Sequence, residues 1–369
     1  MYSSEKEFLN LFGWNSFYNE QNSIQDLKSL VPARVICEER NLYRLQLGLE
    51  KNLWATISGK LQFSASSRAD YPAVGDWVMV EVDDNSNRGV IHKICPRKSI
   101  IYRKQVGSSS DMQILSTNVD YIFITTSVNE DLNFRRIERY LTVAWDSGAV
   151  PVILLTKVDI CSVKIESVIA QVQLEFPGVQ TYAISKNEFE SASFFSDYLK
   201  SGKTTIFIGS SGVGKSTLVN FLTGQMGHTE IKTKEIREAD GKGRHTTTSR
   251  NLYVSRFGGL VIDTPGMREL QLSDHAEGIQ TQFSDIELLI TTCRFSDCKH
   301  DTEPNCAIKK ALTEKIISEE RWERYQKLER EVRHMMRKQD KVLSAEDKKL
   351  WKKRSIFARN KGRSKKGYL

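Results

Sequence analysis

The octapeptide Gly209-Ser210-Ser211-Gly212-Val213-Gly214-Lys215-Ser216 satisfies G-x-x-x-x-G-K-[ST] at every fixed position. A loop of this kind surrounds phosphate groups with inward-turned backbone N–H groups, and it needs a strand before it and a helix N-terminus after it. Both flanks comply. Thr205-Ile206-Phe207-Ile208 is a β-branched and aromatic run, and Thr217-Leu218-Val219-Asn220-Phe221-Leu222 spaces its apolar residues as a helix does. In such a loop Lys215 reaches the β- and γ-phosphates and Ser216 places its hydroxyl on Mg²⁺, with Thr217 opening the helix beneath. Further on, Gly259-Leu260-Val261-Ile262 reads as a buried strand ending in Asp263-Thr264-Pro265-Gly266, where the Asp263 carboxylate can hold the metal's shell. A parallel α/β sheet with a nucleotide at its carboxyl edge is therefore expected, with Gly209 to Thr217, Asp263 and Gly266 as its contacts.

A second strand end bears on the base. Val150-Pro151-Val152-Ile153-Leu154-Leu155 runs into Thr156-Lys157-Val158-Asp159, close to the N-K-x-D element that reads guanine. The Asp159 carboxylate accepts from guanine N1–H and the 2-amino group together, a donor pair adenine lacks, while the Lys157 stem packs on the base. Tyr182-Ala183-Ile184-Ser185 supplies another strand end, from which the backbone at Ser185 would face the base from the other side. The order is unusual. Ordinary GTPases begin with the phosphate loop, whereas here Thr156 to Asp159 and Ser185 precede it, and Thr246 to Thr248 and Asp263 follow. The domain reads as circularly permuted, which a parallel sheet tolerates because its core is defined by spatial neighbours rather than chain order.

At 369 residues the chain exceeds the usual size of one core, so two or three domains are expected. No apolar run approaches the ~20 residues that span a membrane, and Met1 to Glu7 lack an export signal, which predicts a cytoplasmic protein. The six cysteines do not suggest a disulfide framework. Instead Cys293, Cys298, His300 and Cys306, spaced C-x4-C-x-H-x5-C, offer the Cys₃His set of a closed tetrahedral zinc site with no position left for catalysis. Residues 321 to 369 hold 18 Lys and Arg against 6 Asp and Glu, so that the rest of the chain is weakly acidic despite a net charge of +8. A basic tail on an acidic body suits a polyanion, most simply nucleic acid.

Residues 1 to 29 scatter aromatics among polar residues and receive no chemistry. From Val31 to Arg97 five short strand patterns follow, centred on Ala33–Cys37, Leu42–Leu47, Trp54–Ser58, Trp77–Val82 and Gly89–Ile94. They suggest a small β-barrel of the OB or the SH3-like kind, which periodicity does not separate. Arg97 to Lys104 reads as a basic connector, Phe134 to Ser147 as an amphipathic helix, and Ile317 to Lys338 as a charged helix carrying Trp322 and Tyr325.

Taken together, Pro72-Ala73-Val74-Gly75-Asp76-Trp77, Asn118-Val119-Asp120, Arg136-Ile137-Glu138-Arg139-Tyr140-Leu141, Thr156 to Asp159, the phosphate loop, Gly243-Arg244-His245-Thr246-Thr247-Thr248, Asp263 to Gly266 and the Cys/His cluster resemble the ribosome small-subunit-dependent GTPase family, RsgA or YjeQ, across roughly residues 31 to 320. Thr156 stands where the family more often has Asn, which would loosen one contact to the base. The resemblance implies an all-β OB-fold domain (31–100), a circularly permuted α/β GTPase domain (111–275) and a mostly helical zinc-binding domain (276–338), between an N-terminal extension (1–30) and a basic tail (339–369). It implies a monomer that hydrolyses GTP to GDP in late assembly of the small ribosomal subunit, binds its rRNA, and uses Mg²⁺ and one structural Zn²⁺. Met267 follows the D-x-x-G element and cannot orient water, so another residue must act. Family resemblance favours Thr247 as the switch threonine on Mg²⁺, and His245 beside it is the expected partner of the attacking water. Two other classes compete: an ATP-using P-loop protein, which Asp159 argues against, and an RNA-binding module with negligible turnover.

Overall fold

The computed structural model describes residues 2–21, 30–39, 41–83, 85–104, 112–129, 132–161, 163–224, 250–263, 276–295, 297–301 and 303–333. Five strands near the N-terminus close on themselves: β1 (Val31–Glu39), β2 (Leu42–Gln46), β3 (Asn52–Ile57), β4 (Trp77–Asp83) and β5 (Arg88–Ile94). They pair in the order β1-β2-β3-β5-β4, and β4 returns to β1 with Arg34 opposite Trp77. This closed Greek-key barrel is the OB arrangement, which removes the SH3-like alternative. Alternation along the strands turns Val35, Leu45, Leu53, Val80 and Ile91 into the barrel interior.

The barrel joins the rest of the molecule through Val74-Gly75-Asp76-Trp77. Gly75 has φ +97°, and a Cβ there would stand 2.1 Å from the Thr117 carbonyl oxygen, so only glycine fits. Asp76 is fully buried; its carboxylate accepts both prongs of Arg97, at 2.8 and 2.7 Å, with further bonds from the Ala73 N–H and the Thr117 hydroxyl. Arg97 also donates to the Ala69 and Tyr71 carbonyls, so it is an internal staple. Trp77 takes Phe8, Trp14 and Tyr18 around its ring, at centroid distances of 5.9, 5.0 and 6.1 Å. The N-terminal aromatics, on and between helices Tyr2–Leu11 and Ser16–Gln21, thus belong to the core.

Instead of a basic connector, β6 (Ile100–Lys104) pairs antiparallel with β7 (Met112–Thr117). The driving force is burial: Ile101 and Leu115 enter the core shared by barrel and sheet, a signal the Lys and Arg neighbours mask in sequence. Six further strands follow: β8 (Tyr121–Ser127), β9 (Val150–Thr156), β10 (Gln180–Ile184), β11 (Thr204–Ile208), β12 (Asn251–Val254) and β13 (Leu260–Asp263). Their order is β10-β9-β8-β11-β13-β12, parallel except for β12, which meets the barrel where Asn251 faces Cys37. β8, β9 and β11 are buried almost throughout, as continuous apolar strands covered on both faces must be. Helices Phe134–Asp146 and Ile165–Glu175 cover the face that shares its core with the barrel, and Lys215–Thr223 covers the other.

Helices Ala276–Gln282, Ser284–Thr291 and Ala307–Thr313, with helical residues 319–333, enclose a small separate core around Phe283, Ile286, Trp322 and Tyr325. Among the described residues no helix is long and apolar enough to cross a membrane. The basic tail lies outside the described residues.

Asp76→Asn removes the partner of a guanidinium that is itself 12% exposed, and breaking a buried pair from one side costs about 3–5 kcal/mol. Chemical denaturation should show a correspondingly lower midpoint for the variant; an unchanged midpoint would show the pair to be dispensable.

Candidate functional site

All parallel strands of the sheet end on one edge, and Gly209 to Ser216, Thr156 to Asp159, Ser185 and Asp263 lie at strand ends there. Residues 209–214 leave β11 and lead into the helix Lys215–Thr223. The first turn of the loop depends on Gly209, at φ +146°, because a Cβ would meet the Thr125 carbonyl oxygen of β8 at 2.0 Å. Lys215 folds back over the loop, its Nζ donating to the Gly209 carbonyl at 2.7 Å and to the Ser210 carbonyl. The loop is thereby held open around the helix N-terminus, in the shape that receives phosphates.

The base-reading segment is tied to this loop directly. Thr156, at the end of β9 and 6% exposed, donates its hydroxyl to the Val213 carbonyl at 2.7 Å, with the Thr126 carbonyl at 3.3 Å as a second acceptor. Its role in this geometry is positioning, since the hydroxyl is directed at backbone. Lys157 takes a left-handed conformation, φ 59°, which turns the chain into the short 3-10 segment Val158–Ile160 and leaves Asp159 exposed on the same edge. Ser185, at the end of β10, gives both its N–H and its hydroxyl to Glu188, at 3.0 and 2.9 Å. Those bonds hold the Glu188 carboxyl below its usual range. The Ser185 amide is therefore engaged within its own turn. Asp263 ends β13, beside β11 and one residue beyond the Ile206–Ile262 pair. His245, Thr246 to Thr248, Gly266 and Met267 lie outside the described residues.

One residue at the loop was given no role from sequence. Arg136, in the first turn of helix Phe134–Asp146, donates from Nη1 to the Ser210 hydroxyl. Local spacing holds no sign of this contact, although a helix that starts at the carboxyl end of a parallel strand must begin on the site's edge.

A second cluster lies apart, in the C-terminal segment. The ligand atoms of Cys293, Cys298, His300 and Cys306 all lie within 4.8 Å of one another, with His300 Nδ1 at 3.6 Å from the Cys293 sulfur and 3.4 Å from that of Cys306. Bonds of about 2.3 Å to sulfur and 2.0 Å to nitrogen put tetrahedral ligand atoms roughly 3.5–3.8 Å apart, so the four side chains fit a metal ion. Desolvation and the neighbouring thiols of Cys306 and Cys293 push the Cys298 thiol up to about 11, and desolvation lowers His300. A divalent cation would relieve this crowding of thiols and keep the imidazole neutral. The His300 ring meets Trp322 edge-on at 5.5 Å, which places the cluster against the small helical core.

Comparison with known proteins gives a consistent picture. A family model described as RsgA GTPase matches residues 94–273, and one described as 50S ribosome-binding GTPase matches residues 204–348. The chain is 43% identical to the small ribosomal subunit biogenesis GTPase RsgA 1 of Oceanobacillus iheyensis, over 88% of this chain and 91% of that protein. It is 45% identical to the RsgA 2 of Lactiplantibacillus plantarum, over 81% and 82% of the two chains. Among solved structures, YjeQ from Thermotoga maritima superposes with a TM-score of 0.61 at 25% identity, covering 81% of this chain and 97% of that one. YloQ, described as a circularly permuted GTPase, gives the same score at 22% identity over 85% and 98%, a likeness of fold.

If the Cys/His cluster holds a metal, a chelator should strip amide-exchange protection from residues 307–313 and 319–333 while leaving β8, β9 and β11 protected, because the small helical core cannot stand without it. Unchanged protection in both regions would show that the cluster holds none.

Proposed function

The chain belongs to the RsgA GTPase family, and on that premise we infer that it is a GTP hydrolase acting in biogenesis of the small ribosomal subunit. One observation carries the reading: the phosphate loop and the Thr156-to-Asp159 segment, far apart and inverted in sequence, are joined on one sheet edge by the 2.7 Å bond from Thr156 to Val213. The description of one family model in terms of the 50S subunit concerns a match that begins at residue 204. The relatives named for the small subunit span 81–88% of the chain and therefore weigh more.

In the reaction, water attacks the γ-phosphorus, the bond to the β–γ bridging oxygen breaks, and GDP and phosphate leave. Loop N–H groups and Lys215 offset the charge that develops on the phosphates. Ser216, Asp263 and Thr247 are the residues that would hold Mg²⁺, whose contribution when bound is to neutralise the phosphate oxygens. Asp159 selects guanine. For the attacking water we assign His245, a reading supported by Met267 at the position where a polar side chain would otherwise serve. The Cys₃His set suits a structural zinc ion, since four protein ligands fill a tetrahedron. The OB barrel and the basic tail are the surfaces proposed for rRNA. Action as a monomer, in the cytoplasm where ribosomal subunits assemble, completes the proposed reading.

Lys215→Ala should abolish turnover with the fold intact. Asp159→Asn should weaken GTP binding by about 10- to 100-fold, the worth of a charge-assisted bond pair, and shift preference toward xanthosine triphosphate, whose C2 carbonyl matches an amide donor. Nucleotide titrations followed by fluorescence would check this; a variant still selective for GTP would mean that the base is read elsewhere.

A further inference from the structure

Helix Phe134–Asp146 touches both the phosphate loop and the C-terminal segment through side-chain bonds. Its N-terminus is capped by the Asn133 side chain, which accepts from the Arg136 N–H at 3.1 Å and fixes the first turn. From that turn the Arg136 guanidinium reaches the Ser210 hydroxyl. Ser210 is held from its other side by Lys215, whose Nζ uses the Ser210 carbonyl as an acceptor. The residue that Arg136 grips is thus also one of the two loop carbonyls that set the position of the phosphate-binding ammonium.

The same helix is gripped by the C-terminal segment. Glu138, 2% exposed, accepts from Arg324 Nε at 3.1 Å, and Arg324 also donates to Glu175. Burial pushes the Glu138 carboxyl up to about 7, against the opposite pull of Arg324 and Arg321, so it is a group whose ionised form needs that partner. Arg139 meets Glu331 at 3.4 Å, and the Thr142 hydroxyl donates to Gln282 at 2.6 Å. Loop contact and clamps lie within two turns of one helix, a span over which a helix moves as a rigid body.

We propose that Arg136 is a positioning residue for GTP hydrolysis: it fixes Ser210, Ser210 fixes Lys215, and the helix that carries Arg136 ties this arrangement to the metal-bearing segment. A displacement of that segment on the ribosome is then delivered to the phosphate loop along the helix axis. The proposal rests on the reading of the chain as a subunit-stimulated GTPase.

The test uses the full chain, GTP and purified small subunits. Arg136→Ala should lower kcat about tenfold, the worth of a charge-assisted hydrogen bond, and change KM much less. Arg136→Lys should recover part of the loss, since an ammonium can still reach the hydroxyl. The double variant Arg136→Ala with Ser210→Ala should be no slower than Arg136→Ala alone, because the two side chains act as one unit. Arg324→Ala, remote from the nucleotide, should leave basal turnover unchanged and lose most of the increment at saturating subunit. A wild-type kcat in Arg136→Ala, or additive losses in the double variant, would overturn the positioning role. Full stimulation in Arg324→Ala would overturn the coupling. Absence of stimulation in the wild type would instead count against the functional reading, and basal kcat of the Arg136 variants would still decide the role of Arg136.

Discussion

The pairing of β11 with β8 is the contact on which the rest of the molecule depends. Thr205 lies beside Tyr121 and Ile208 beside Ile124, so a strand that opens the permuted domain is married to one that comes more than eighty residues later. From this pairing the site follows. Gly209 must cross the end of β8 with no room for a side chain, and β9 brings Asp159 to the neighbouring position. The helix after β8 necessarily starts beside the loop. Permutation changes which loops are covalent and leaves these neighbours as they are, which is why an inverted order of motifs yields an ordinary nucleotide edge.

The two flanking parts are attached by different physics. Barrel and sheet share one core, in which Trp77, Met79, Ile101 and Leu115 pack with Val119 and Ile122, and the buried Asp76–Arg97 pair locks the seam. Such an interface resists independent motion because separating it exposes apolar surface. The C-terminal segment has its own core and meets the sheet's helices through side-chain bonds at Glu138, Glu175 and Thr142 and through close backbone packing, since a Cβ on Gly278 would stand 2.1 Å from the Thr142 carbonyl oxygen. The barrel is thus bound to the sheet by a common core, and the C-terminal segment by the helix that also reaches the phosphate loop.

What was legible in the sequence was local. The phosphate loop, the Thr156-to-Asp159 tetrapeptide and the Cys₃His spacing each place their chemistry within a few residues, and the barrel strands declare themselves by alternation. The structure brings the first two together and converges the third into one cluster. What was not legible depends on distant partners. Arg97 looked like part of a basic connector because its acceptors, Ala69, Tyr71 and Asp76, lie 21 or more residues away. Thr156 looked like a weakened base contact, since nothing nearby announces the Val213 carbonyl 57 residues on. Arg136 gave no sign of reaching Ser210, 74 residues later. The hairpin β6–β7 was hidden by charge, as its few buried apolar residues, Ile101, Ile114 and Leu115, do not outweigh the neighbouring lysines and arginines.

The central claim is that one permuted sheet edge turns over guanine nucleotide under the control of the small ribosomal subunit. Multiple-turnover hydrolysis of GTP and ATP by the full chain, measured alone, with small subunits and with large subunits, tests it most directly. The account predicts GTP hydrolysis that rises with small subunits and not with large ones, and negligible use of ATP. Equal hydrolysis of both nucleotides, or a rate indifferent to small subunits, would contradict it.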